Sequence, residues 1–387
     1  MTSTGPRDPP YRVLLTCGVF EPGFRGGGPV RSVAHLLDTA SPTVLVDLLT
    51  GDRDLGSSRP YPGLSGRWVD RGRARVFYLN IRRARQWFGL WRRLRRTSFD
   101  LLYVNSLWSP VFTVVPVVAV RLGLIRAKTV LVAPRGSFSP GALSLKRRKK
   151  QLFLRVWGPL LRSMDVVWHA TAAEEAADIR AACPWAVVRI GEVQVALPPE
   201  PLTPGLNTGR ARLIHIGRIS PKKNLLLVYQ ALLIVSRPVV LDIYGPVEDR
   251  KYWARCQALD KLLPGHVTVR YRGAVPAADV RAMLGAYDAF VFPTLGENFG
   301  HVIAESLSAS CPVICSAETP WTTTLRGGGG AVLETLTPEC LGAHIDRVAA
   351  GTPAQRLDAR RRSGQAYRRW RSRANGTNIL DLSREAA

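Results

Sequence analysis

Residues 213–224 read LIHIGRISPKKN, and residues 289–309 read AFVFPTLGENFGHVIAESLSA. Each opens on an apolar run of strand length, passes through a glycine, and continues into a helical pattern. A short apolar run bounded by turn residues is the signature of a buried strand. Outward from these two stretches, strands are predicted at 239–244, 267–271 and 313–315, with helices over 224–236 and 300–309. The N-terminal half alternates in the same way. Strands are predicted at 12–17, 43–49, 75–79, 100–105, 129–133 and 165–170, with one helix opened by Pro29 and another over 145–162. Continuous apolar strands separated by helices argue for parallel sheets covered on both faces. Between the halves, 196–209 (ALPPEPLTPGLNTG) is rich in Pro and Gly and has no periodicity. The expected fold class is therefore α/β, with two doubly wound, Rossmann-like domains facing a cleft. The expected boundaries are 1–197, a linker at 198–209, 210–350, and a basic helical tail at 351–387. Open sheets of this kind bind ligands beyond the carboxyl ends of their strands, where chemistry is expected.

Composition narrows the class. The chain has 387 residues, 46% of them hydrophobic, enough for two packed cores. Its formal net charge is +25, which calls for nucleic acid, an anionic membrane surface or phosphorylated ligands as a partner. Cys17, Cys183, Cys256, Cys311, Cys315 and Cys340 form no CxxC pair, so a reducing, cytoplasmic compartment is expected rather than a disulfide framework. The first ten residues are polar and Pro-rich, and no signal peptide is expected. The longest apolar stretch, 110–120, is broken by Pro116 and stopped by Arg121, so it reads as a buried helix and not a membrane span.

Two constellations carry chemistry. In 215–224, Gly217 permits a tight turn where a strand ends, and Arg218 and Lys223 place two cations at the mouth of a sheet. Arg grips phosphate with a planar fork and Lys adds a point charge, so the pair suits a diphosphate leaving group. In 293–305, Glu297 sits in a Gly-flanked loop, and Asn298, Phe299 and Gly300 are expected to start a helix whose free N–H groups favour an anion or sugar oxygens. Glu305 follows two turns later among small and apolar residues, which argues for a buried helix. A literal DxD at Asp52–Asp54 reads as an exposed loop, and a pattern of three residues arises easily by chance.

The E-x7-E spacing of Glu297 and Glu305 within GENFGHVIAESLSASCPVI resembles the signature of retaining glycosyltransferase family 4, a GT-B family. GRISPKKN (217–224) is similar to that family's basic-pair motif. GGGPVRSV (26–33) and PRGSFSPGALSLKRRKK (134–150) resemble its bacterial surface-polysaccharide branch. The resemblance runs from residue 11 to about 331. It implies that Arg218 and Lys223 hold the donor diphosphate and that Glu305 binds the nucleotide ribose. Glu297 and the backbone of Asn298, Phe299 and Gly300 would bind the donor sugar. Gly27 and Gly28 would let the acceptor-domain backbone approach the donor diphosphate, and Gly217 falls with the donor-binding residues. It further implies a nucleotide-diphosphate sugar as co-substrate, no cofactor or metal, retention at the anomeric carbon, and a glycan or lipid-linked acceptor. Where many members carry histidines in the N-terminal domain, this chain has Asn105-Ser106 and Pro134-Arg135-Gly136. Arg135 and His169 are left as acceptor-side candidates, His169 equally readable as a hydrogen-bonded core residue.

Basic residues interleave with aromatics in two further runs. One is Arg82, Arg83, Arg85, Trp87, Phe88, Trp91, Arg92, Arg93, Arg95 and Arg96; the other is Lys146, Arg147, Arg148, Lys149 and Lys150. Cations beside Trp and Phe suit the inner face of an anionic plasma membrane. Set against this, such a run reads as a solvated helix face whose aromatics belong to the core. The competing activities are a sugar-nucleotide epimerase or phosphorylase on the same architecture and, from another class, a basic nucleic-acid-binding protein. No Schiff-base Lys context supports a phosphorylase, and no nucleic-acid motif supports the binding protein.

Overall fold

The computed structural model describes residues 9–139, 147–374 and 376–386. The chain divides into two compact units, Met1–Val195 with Gly376–Ala387, and Ala196–Asn375.

The first unit holds β1 (Tyr11–Thr16), α1 (Gly28–Thr39), β2 (Val44–Gly51), β3 (Trp68–Arg71), β4 (Ala74–Leu79), α2 (Ala84–Leu94) and β5 (Ser98–Val104). There follow α3 (Val115–Arg121), β6 (Arg126–Val132), α4 (Arg147–Arg162), β7 (Val167–Ala170), α5 (Ala173–Ala182) and β8 (Val187–Ile190). The sheet order is β3-β4-β2-β1-β5-β6-β7-β8. Every neighbouring pair is parallel except β3 with β4. The chain builds outward from β1 to one side, then returns to β5 and builds the other, so the topological switch lies between β1 and β5. The stretch at 110–120 is indeed helical, with Phe112 and Val117 buried. In α1, Val30, Val33, Ala34 and Leu37 make one buried stripe at helical spacing.

The second unit holds β9 (Ala211–Ile216), α6 (Leu225–Leu232), β10 (Val239–Tyr244), α7 (Arg250–Asp260), β11 (Val267–Gly273), α8 (Ala277–Leu284) and β12 (Ala289–Phe292). It continues with α9 (His301–Ser308), β13 (Val313–Ser316), β14 (Gly330–Leu333), α10 (Pro338–Ala350) and α11 (Pro353–Arg371). Its sheet, β11-β10-β9-β12-β13-β14, is parallel throughout, with the switch between β9 and β12. Both units are thus doubly wound and Rossmann-like, as the sequence led us to expect. The short edge strands β3 and β8 and the glycine-led β14 were not predicted. Their four residues each carry too little periodic signal to be told from loop.

The expected linker and tail take a different form. Residues 196–209 belong to the second unit and are bound to it by α11. Arg356 donates to the carbonyls of Asn207 at 2.9 Å and Gly209 at 2.8 Å, Arg360 to Gly205 at 3.0 Å, and the Tyr367 hydroxyl to Pro198 at 2.6 Å. A Pro/Gly stretch has backbone carbonyls that no ladder satisfies, and buried arginines supply the donors. The basic tail is split between the units. Helix α11, started by a Thr352/Gln355 capping box, packs on the second, while the last helix, α12 (Ile379–Glu385), buries Ile379 and Leu380 in the core of the first.

Candidate active site

The switch point of the second sheet gathers both motif loops. Strand β9 delivers Gly217 and Arg218 at its carboxyl end, and neighbouring β12 delivers 293–300. A 3-10 turn, Pro221–Lys223, and left-handed Asn224 (φ 55) carry the first loop into α6. The two loops are stitched together. The Leu295 amide donates to the Lys222 carbonyl at 2.8 Å, and the Thr294 hydroxyl lies 3.1 Å from the same oxygen. Lys223 Nζ meets Glu297 Oε1 at 2.5 Å, with the two side chains 13% and 12% exposed. The Thr294 hydroxyl also reaches Glu297 Oε1 at 2.9 Å. Lys223 lies over the Phe292 ring, 5.0 Å from its centroid, and its stem runs past Gly217, where a Cβ would stand 3.5 Å from Lys223 Cγ.

Burial alone would push the Glu297 pKa up. The charge and hydrogen bond of Lys223, the charge of Lys222 and the Thr294 hydroxyl outweigh it and hold the carboxyl below its ordinary value. Arg218 Nη1 pairs with Glu248 Oε2 at 2.7 Å, both side chains more exposed than the Lys223–Glu297 pair. Sequence reasoning missed Glu248, because a partner 30 residues away leaves no local pattern.

Asn298, Phe299 and Gly300 lead into α9 without being part of it. Gly300 is its N-cap at φ 81, a left-handed conformation that favours glycine, and no side chain caps the helix there. Phe299 is held by an aromatic seat the sequence did not reveal. Its ring lies 5.4 Å from Trp321 and 6.3 Å from Trp370 of α11, and Trp321 Nε1–H donates to the Phe299 carbonyl. Glu305 is 6% exposed in the second turn of α9, which fits the buried helix expected there. His215, on β9, is fully buried and donates from Nδ1 to the Val291 carbonyl at 2.9 Å; burial drives its pKa down to about 4. Cys311 and Cys315 are buried, free and part of the core.

In the first unit, Gly27 caps α1 at φ 68 and Gly28 is the first helical residue. A Cβ at Gly27 would meet nothing within 4 Å, so the backbone of this uncapped N-terminus borders open space. Arg135, at φ 52, turns back on the sheet and donates to Asn105 Oδ1 at 2.7 Å and to the Tyr103 hydroxyl at 2.8 Å. The Tyr103 hydroxyl in turn donates to His169 Nδ1 at 2.7 Å, because His169 Nε2–H is committed to the Gly191 carbonyl at 2.8 Å. Burial, with the Arg135 charge second, pushes the His169 pKa down to about 3, so the ring is neutral. His169 is thus a hydrogen-bonded core residue with one edge on a pocket that Arg135, Ser32, His35 and Gln194 line together with Leu36, Val193 and Ile379. Glu175, unremarked in the sequence, takes the amides of Gly136 at 2.5 Å and Thr171 at 2.8 Å and so fixes the turn that carries Arg135.

Two expectations are corrected. The DxD is not an exposed loop. Asp52 is 1% exposed and accepts from Ser65 Oγ at 2.7 Å and Arg53 Nε at 2.9 Å. Asp54 accepts from the amides of Phe24 and Arg25, both at 3.2 Å, and of Leu55 at 2.8 Å. Both carboxylates thus tie loops together. The aromatics of the first basic run are also mostly core. Trp87 and Trp91 pack into the hydrophobic cluster beside Leu90 and Leu94, and half-buried Arg93 lies 4.5 Å over the Trp68 ring. Phe88 (73%) and Ile81 (52%) remain exposed among Arg82, Arg85 and Arg92. In the second run Lys146 lies outside the described residues. Helix α4 exposes Leu152 (64%) and Val156 (72%) beside Arg148 and Arg155.

Residues 203–370 match the family model described as glycosyl transferases group 1. The O-antigen chain mannosyltransferase B of Escherichia coli is 32% identical over 138 residues, which are 34% of this chain and 35% of that protein. The match thus spans about a third of the relative's length. Among solved structures, Anabaena HepE in complex with UDP and glucose superposes with a TM-score of 0.69 at 16% identity, covering 97% of this chain and 98% of that one. Sucrose-phosphate synthase from Thermosynechococcus elongatus gives 0.71 at 17%, with the same coverage. Identities this low show the fold alone, and that fold is GT-B.

Proposed function

From a second unit that carries the glycosyl transferases group 1 sequence over residues 203–370, we propose that the protein moves a sugar from a nucleotide-diphosphate sugar onto a glycan acceptor in surface polysaccharide synthesis. The observation that carries this reading is the switch point between β9 and β12, where Lys223, Glu297, Gly217 and the uncapped start of α9 come together in one stitched pair of loops. Arg218 and Lys223 hold the diphosphate and stabilise the charge that develops as it leaves. Glu297 and the backbone of Asn298, Phe299 and Gly300 receive the donor sugar, and Glu305 takes the nucleotide ribose. That HepE was crystallised with UDP and glucose supports a nucleotide-sugar donor, and the mannosyltransferase relative supports a glycan acceptor. The acceptor belongs to the first unit, whose pocket beside Arg135 and His169 is also lined by Ser32, His35 and Gln194. Transfer proceeds with retention, which product NMR of the new linkage checks. Transfer without a divalent ion is supported by Asp52 and Asp54, the sequence's DxD, being engaged in loop contacts.

Association with an anionic membrane is the second part of the proposal. No helix among the described residues is long and apolar enough to cross a bilayer. Exposed Phe88, Ile81, Leu152 and Val156 beside arginines suit shallow insertion assisted by charge. Replacing Arg85, Arg92, Arg95 and Arg96 with Gln should reduce sedimentation with anionic vesicles and spare nucleotide binding, and equal sedimentation with neutral vesicles contradicts it. Arg93 is excluded because it packs on Trp68. The donor reading itself is tested by thermal shift. UDP or GDP should raise the melting temperature and a short oligonucleotide should not; the reverse pattern favours a nucleic-acid-binding protein.

A further inference from the structure

Resting on that donor-site reading, we propose that Glu297 is the anion that holds the place of the donor diphosphate at Lys223. The exchange of one for the other would make the site select an intact sugar nucleotide over the free nucleoside diphosphate. The ammonium of Lys223 has little freedom. It is pinned between the Phe292 ring at 5.0 Å and Glu297 Oε1 at 2.5 Å, its stem beside Gly217. A diphosphate that takes up Lys223 must therefore displace Glu297 or share the cation with it. The carboxylate cannot simply move into water. Its side chain is 12% exposed, and its backbone amide is tied to the Glu318 carbonyl at 3.0 Å.

A displaced, poorly solvated carboxylate is costly unless it finds new donors. Thr294 already supplies its hydroxyl at 2.9 Å, so it is no new partner. Sugar hydroxyls are new donors. An intact donor brings them together with its diphosphate and compensates Glu297 for the loss of Lys223. The free nucleoside diphosphate, which is the product, brings the anion without the hydroxyls. It pays the displacement and receives nothing in return, so it binds weakly and leaves. The same residue pair then serves both donor recognition and product release, with no movement of the backbone required.

The test is calorimetry of the full chain with UDP, with GDP, and with a sugar nucleotide of whichever base binds. The proteins are wild type, Glu297→Gln, Lys223→Met and the double variant. Wild type should prefer the sugar nucleotide. Glu297→Gln should bind the free nucleoside diphosphate about tenfold tighter than wild type, the low end for close, desolvated charge pairs, and should lose the preference. In the Lys223→Met background the Gln substitution should give no such gain. Glu297→Ala reads the same comparison should the Gln variant fail to fold. Nucleoside diphosphate binding that is unchanged or weaker without the carboxylate overturns the inference and leaves the donor site standing. Absence of nucleotide binding by every protein in the set removes the donor site and the inference together.

Discussion

Replacing Lys223 with Met isolates the pair on which the site is built. Met keeps the apolar stem beside Gly217 and deletes the charge over Phe292. Glu297 is then left 12% exposed with the Thr294 hydroxyl but no ion partner. Removing one member of a buried pair costs about 3–5 kcal/mol, and the surviving hydrogen bond recovers about 1 kcal/mol of it. The expected loss at pH 7 is therefore about 2–4 kcal/mol, read from urea denaturation. Its pH dependence carries the sharper test. In wild type the Glu297 pKa is lowered, so the pair's stabilisation is present above the unfolded-state value and fades as pH falls through the folded one. In the variant, burial is opposed only by the Lys222 charge and the Thr294 hydroxyl, so the pKa lies above the wild-type one. The stability that wild type gains as pH rises above the unfolded-state pKa is then reduced or lost. The two stability curves should converge on going from pH 7 to pH 4. Parallel curves, or a loss below about 0.5 kcal/mol at pH 7, the range of an ordinary surface substitution, would refute the buried-pair reasoning.

Three other outcomes are expected. Arg218→Ala should lower turnover by about 100-fold or more, the scale of losing one charge-stabilising donor, and a near-normal rate would remove its phosphate role. Turnover should persist in excess EDTA; complete loss restored by manganese or magnesium would overturn the metal-free reading. His169 and His215 have folded pKa values lowered to about 3 and about 4, so the unfolded chain binds their protons first as pH falls below about 6.5. Between pH 6.5 and 4.5 each should withdraw up to about 2.7 kcal/mol of stability, and His169→Gln should flatten that slope.

What the sequence disclosed was local. The β9 run with its terminal glycine, and the β12 run with its glycines and the E-x7-E interval, each lie within a single strand–loop–helix unit, where period and turn chemistry are written in adjacent residues. What it concealed was made by distant segments. Glu248 for Arg218, Glu175 for the Arg135 turn, and Trp321 with Trp370 for Phe299 each meet their partner only after the sheet has formed. Asp52 looked exposed because its neighbours in sequence are polar, yet Ser65 and the carboxyl end of β4 enclose it. The charge around the tryptophans of the basic run reads as membrane-facing. Trp87, Leu90, Trp91 and Leu94 have the spacing of a core-facing stripe, and that period outweighs the surrounding charge.

Glu305 is the sharpest probe of a nucleotide site at the second unit's switch point. It is buried in α9 and belongs to neither of the ion pairs formed by Lys223 and Arg218. Calorimetry of UDP and GDP should show one of them binding wild type, with affinity falling at least about tenfold in Glu305→Ala, the scale of losing hydrogen bonds to a charged group. The variant should keep a cooperative thermal unfolding transition. Unchanged nucleotide affinity in a folded Glu305→Ala protein would contradict the account.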